Sequence, residues 1–202
     1  MLPARKRGIL RENWVYLFVS SLLLFVGIMG GIQLEAILPL GVGGDGSGGL
    51  NPLLSQLQQL VQFYQPYTPL TALIILGKNT LSAALSFFSG FTFFIPGGVL
   101  LVNGVVLGYV GAGAAATRSL EFALGSLVPH GVVELTGLIF ATAGGLRFGV
   151  AFWRKISSLV LHKVYSFKTE FFGALKLFII SLALLEVAAV LETYLTPYIM
   201  GL

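Results

Sequence analysis

Residues 70–116 read LTALIILGKNTLSAALSFFSGFTFFIPGGVLLVNGVVLGYVGAGAAA. The length of this run decides the fold. A helix needs about 20 apolar residues to cross ~30 Å of hydrocarbon. Forty-seven residues are too many for one crossing and suit two. The turn between them falls at Ser89-Gly90 or at Pro96-Gly97-Gly98, where glycine and proline break the pattern. The only charge in the tract is Lys78.

The same criterion places the other spans. Residues 14–32 form the first, 128–152 the fourth and 172–195 the fifth, so the tract supplies the second and third. Composition agrees. Of 202 residues, 56% are hydrophobic and 10% charged, whereas a soluble domain carries roughly a quarter charged residues. Mean hydropathy is +0.91. The chain reads as an all-α, polytopic membrane helix bundle, one transmembrane domain over 1–202, multi-pass in the cell membrane. Its pI of about 9.5 does not indicate nucleic acid, because the basic residues flank apolar spans and line no groove. The absence of cysteine excludes a disulfide framework and a thiolate metal site.

Lysine and arginine set the expected orientation. Arg5, Lys6, Arg7 and Arg11 precede the first span, and Arg147, Arg154, Lys155, Lys163, Lys168 and Lys176 surround the link between the fourth and fifth. Five spans put all ten on one side and leave Arg118 alone on the other. The N-terminus is thus expected inside and the C-terminus outside. The first span follows basic residues, as a signal peptide does. Its apolar run is longer than a signal core, and no A-x-A site follows, so it is read as a retained helix.

Two amphipathic helices are expected beside the spans. Outside, the loop and helix of 39–68 begin with GVGGDGSGG (41–49). The G-x-G-x-x-G within it lacks the strand, helix and acidic residue of a dinucleotide site, and reads as a linker. Leu53, Leu57, Leu60 and Tyr64 then repeat at helical spacing opposite Gln56, Gln59 and Gln62. Inside, a basic helix over 152–171 has the stripe Ile156, Val160, Val164, Phe167 and Phe171, with Lys155, His162 and Lys168 toward anionic lipid.

Small residues at spacings of three, four and seven mark the packing faces. They are Gly27 and Gly31 on the first span, Gly104, Gly108 and Gly111 on the third, and Gly137 and Gly145 on the fourth. The polar residues between the small ones form the candidate site, because a charge in mid-membrane persists only when paired, neutralised or beside water. The set is Lys78, Asn79, Ser82, Asn103, His130, Gly131, Glu134 and Glu186. His130 and Glu134 lie one turn apart and lead it. Lys78 is expected either to pair with Glu186 across the bundle or to mark a break in the helix at Gly77-Lys78-Asn79, and Arg147 is expected to snorkel to the inner interface. With two histidines on opposite sides and no H-E-x-x-H, no metal is expected. Ser126 lies one turn from His130 but without G-x-S-x-G, so no catalytic residue and no cofactor is expected.

The order of these elements resembles a known family. A helix with the central Lys78-Asn79, a glycine-rich helix with Asn-Gly (LLVNGVVLG, 100–108), then PHGVVEL and an apolar stretch ending in Gly-Gly-Leu (144–146) are similar to the stage II sporulation protein M (SpoIIM) family. Its most specific part is H-G-x-x-E at His130, Gly131 and Glu134. The resemblance implies a non-enzymatic integral membrane protein. In spore formers it implies a membrane partner of peptidoglycan hydrolases during engulfment. It gives Asn79 and Asn103 as further matching positions. Two functions fit. In one, a homo-oligomer passes or binds an ion, proton or small solute at the polar cluster. In the other, the cluster is interhelical glue in a scaffold that assembles other membrane proteins. Membrane lipids are partners in both.

Overall fold

The computed structural model describes residues 8–39, 65–162 and 164–200, without the side chains of His130 and Met200. Most of the expected outer loop and helix, 39–68, lies outside the described residues. The rest is helical: α1 (Ile9–Ile37), α2 (Pro69–Phe88), a 3-10 turn (Gly90–Thr92), α3 (Phe94–Thr117), α4 (Leu120–Val160), α5 (Phe167–Val190), a π turn (Leu191–Leu195) and α6 (Thr196–Met200). Five helices are long and apolar enough to cross a membrane. They alternate in direction, so α1 begins at one end of the bundle, the near end, and α6 closes at the other, the far end.

Local chemistry explains the boundaries. Thr68 caps α2 by accepting the Thr71 N–H, and Pro69 fills the first position, where no N–H is needed. Ser119 caps α4 by accepting the Phe122 N–H at 3.0 Å, with Glu121 in the first turn beside the positive end of the helix dipole. The turn after α2 falls at 89–93, the first of the two expected places. Pro96 instead sits in the first turn of α3, where a proline costs no helical hydrogen bond.

One expected element is corrected. Residues 152–171 are not a separate basic helix. α4 runs unbroken to Val160 and α5 starts at Phe167, with a turn between them that takes His162 to a φ of 51°. No proline interrupts 145–160, so the helix continues. At 41 residues α4 has a contour of ~62 Å, about twice the hydrocarbon thickness, with Pro129 inside it and Gly131–Val160 as the stretch suited to cross a membrane.

α4 is the central helix, and α1, α2, α3 and α5 all pack on it. α1 and α3 approach closely along four glycines. A Cβ on Gly27 would lie 2.6 Å from the Leu101 carbonyl oxygen, and one on Gly104 would lie 2.7 Å from that of Leu24. Cβ atoms on Gly31 and Gly108 would collide with the carbonyls of Val105 and Ile28. Backbone thus rests on backbone, the packing that holds helices together where lipid gives no hydrophobic drive. Gly145 meets the Ser86 carbonyl of α2 in the same way. Gly137 faces Leu185 and Gly111 faces Leu127.

The near half is closed by aromatic rings. Phe87, 1% exposed, stacks on Phe178 at 4.6 Å and on Phe148 at 5.8 Å, and Phe148 meets Phe171 edge-on at 5.9 Å. In the far half α2 and α3 take different neighbours. The Tyr67 N–H donates to the Thr193 carbonyl at 3.1 Å, and the Tyr109 hydroxyl donates to the Leu38 carbonyl at 2.9 Å. The hairpin therefore opens toward the far end.

Candidate functional site

The opening between α2 and α3, backed by α4, is a cavity of about 260 Å³, room for several waters. Its polar wall comes from four segments: Lys78 on α2, Asn103 on α3, Gly131 and Glu134 on α4, and Glu192 on the π turn. Val106, Leu107, Val110, Leu127 and Leu135 complete it. Lys78 Nζ stands 3.6 Å from Glu134 Oε1. The lysine side chain is 64% exposed and the glutamate 14%, so the carboxylate is sunk in the wall while the ammonium stands at the mouth.

Each wall residue has a structural reason to be there. Lys78 follows Gly77, which leaves its own face of α2 open. Asn103 donates its side-chain N–H to the Val99 carbonyl at 2.8 Å, which holds the amide against α3. A Cβ on Gly131 would meet nothing within 4 Å, so this glycine widens the cavity. The π turn carries Glu192 to the wall, and the Thr193 hydroxyl, buried, donates to Ala189 at 2.8 Å and holds the turn. Such turns are frequent at functional sites.

The structure thus brings together Lys78, Asn103, Gly131 and Glu134. Asn79 is 1% exposed on the inward side of α2, and its Nδ2 has no hydrogen-bond partner among the described residues. Ser82 is half-buried on α2 and lines no part of the cavity. The His130 backbone lies on α4 one turn before Glu134, and its side chain is outside the described set. The hydroxyl of Ser126 donates to the Ala123 carbonyl at 3.0 Å.

Glu186 is corrected. It is exposed on the outer face of α5 and joins no ion pair among the described residues. The face of α5 that packs inward runs through Ala174, Leu177, Phe178, Ser181, Leu185 and Ala188, and Glu186 stands to one side of that stripe. The partner of Lys78 is Glu134, not Glu186.

Arg147 is corrected as well. It does not snorkel but turns into the bundle, its side chain 12% exposed. Nη1 donates to Asn13 Oδ1 at 2.7 Å, and Nε and Nη2 donate to Glu170 Oε2 at 3.2 and 2.9 Å. Asn13, 1% exposed, donates in turn to the Ile9 carbonyl at 2.7 Å. The guanidinium lies where a Cβ on Gly173 would be. One residue thereby ties α1, α4 and α5 together at the near end. Asn13, Glu170 and Glu192 belong to no motif in the sequence. A polar residue one turn inside a span was a signal for the first.

Residues 17–197 match the model of the family described as Stage II sporulation protein M, and the chain belongs to that family. No curated protein and no solved structure matches it.

Proposed function

We propose that this member of the stage II sporulation protein M family is a non-enzymatic, multi-pass protein of the cell membrane that takes a small polar solute, ion or proton into its far-half vestibule. The observation that carries this reading is the Lys78–Glu134 pair on the wall of an open cavity at mid-span. Ionised groups at that depth persist beside water or a polar occupant. Paired opposite charges suit a site that exchanges a partner, since an entering cation can take the carboxylate and release the lysine. The rings of Phe87 and Phe178, which do not line the vestibule, stack in the near half, so passage needs a second arrangement in which α2 and its rings move. By the distribution of lysine and arginine, the vestibule faces outside. Association with a second copy is part of the proposal. It is supported by Glu186, a carboxylate exposed on a span and left for an outside partner to satisfy.

A scaffold is the second reading, and one observation favours it. The same ion pair joins α2 to α4 and holds the hairpin in place, which is what interhelical glue does. Flux in proteoliposomes separates the two. Wild-type vesicles should pass protons or a monovalent cation, and Glu134→Gln should abolish this while eluting from a sizing column as wild type. No flux from wild type, with a variant that falls apart, would establish glue and remove the pathway.

A further inference from the structure

A second cavity, of about 600 Å³, lies at the near end and is separate from the vestibule. α1 and α5 both pack on α4 but not on each other. The gap between them is a lateral cleft with Arg147 at its floor. Lys176 and Thr169 of α5 stand on one wall, and Gly8 and Glu12 of α1 on the other.

The donors in this cleft exceed the acceptors. A guanidinium has five N–H groups. Among the described residues Arg147 commits three, one to Asn13 and two to Glu170, which leaves two. Lys176 has no ion-pair partner among the described residues. α1 begins at Gly8 with no side-chain cap, so its first N–H groups and positive dipole end also face the cleft. The one acid on the wall is Glu12. With Glu170 already paired to Arg147, the two cations and two carboxylates balance, so the cleft offers spare N–H donors and no net charge, and it fits an oxyanion carrying a single charge better than one carrying two.

Depth identifies the source of that anion. α1 is ~43 Å long by its 29 residues, more than the ~30 Å of hydrocarbon, so its first turn lies at headgroup level. Trp153, whose Nε1 donates to the Phe91 carbonyl at 2.7 Å, marks the same interface with Phe93 and Phe94. By its place between the starts of α1 and α5, which do not pack on each other, the cleft falls at the level expected for lipid phosphates. Basic pockets between spans on the cytoplasmic side hold such groups.

We propose that this cleft binds the phosphodiester of an anionic glycerophospholipid. Lys176 and the two uncommitted N–H groups of Arg147 are its ligands, and the acyl chains run past the exposed Phe172. The Asn13–Arg147–Glu170 network then has a purpose beyond tying helices: it holds the guanidinium still with one edge left open. Glu12 sets the limit on ligand charge.

The test is native mass spectrometry of the full chain in detergent, titrated with phosphatidylglycerol, phosphatidylcholine or inorganic phosphate. Phosphatidylglycerol should bind and phosphatidylcholine should bind more weakly. Lys176→Gln should weaken phosphatidylglycerol by about five-fold, the weight of one basic group near an anionic lipid. Lys168→Gln, at the same end but outside the cleft, should leave it unchanged. Both lysines are exposed, so neither variant threatens the fold. Equal binding of the two lipids, or equal loss in both variants, would overturn the site. Displacement of the lipid by millimolar inorganic phosphate would overturn the lipid and leave a free-anion site.

Discussion

The two halves of the bundle solve the same problem in opposite ways. The near half carries Arg147 inside the protein and satisfies it directly, with Asn13 and Glu170 at 2.7–3.2 Å. The far half carries Glu134 against a lysine 3.6 Å away that is itself mostly exposed, on the wall of an open cavity. A network whose members bond one another directly across three helices suits a joint, even with two guanidinium N–H groups left over. A loose pair beside space for water suits a site whose partner changes. The difference teaches that a charge in a span is not by itself a functional signal. What matters is whether its partners are already spent.

Substitutions can break or sharpen this contrast, and their expected costs descend. Gly31→Leu drives a side chain into the backbone of α3 at Val105 and Tyr109. It should cost at least the ~1–3 kcal/mol of an overfilled core, and more where backbone cannot yield. The measurement is loss of monodisperse protein in detergent. Arg147→Ala orphans the buried Asn13 Oδ1 and should cost about 1–3 kcal/mol, read as a lowered melting temperature. Arg147→Lys should recover only part, because a lysine cannot span both partners. Glu134→Gln should cost less than ~1 kcal/mol, since Lys78 is largely exposed, yet it should remove flux. If it destabilises as much as Arg147→Ala, the two halves are alike and the contrast fails. Smallest is Gly131→Ala. Its methyl meets nothing within 4 Å, so stability should hold or rise by about 0.5–1 kcal/mol from helix propensity, while flux falls because the vestibule narrows.

The fold was largely legible because span length is a property of a single run of residues. Four apolar runs, one of them long enough for two crossings, are five long helices in the structure, and the hairpin turns at Ser89-Gly90. The end of α4 was less legible, since an amphipathic pattern does not say whether a helix is new or a continuation. The site was legible in part. Lys78 and Glu134 stood out by charge alone. Which of two glutamates faced Lys78 depended on the rotation of α5, which no local pattern fixes. The role of Arg147 is not legible locally because its partners lie 134 and 23 residues away in sequence. Snorkelling is the default for an arginine near a span end only when no partner waits inside.

The most direct test of the account asks whether the far half holds water at mid-span. The chain has no cysteine, so single cysteines can be placed without background. Asn103 lines the vestibule, while its neighbour Val102, at the same depth, is exposed on the outside of the bundle. Asn103→Cys and Val102→Cys should be compared in sealed vesicles with a membrane-impermeant maleimide. Reaction at position 103 from one side only, with position 102 inert, is the result predicted. Equal inertness at both would show a dry far half and contradict the vestibule.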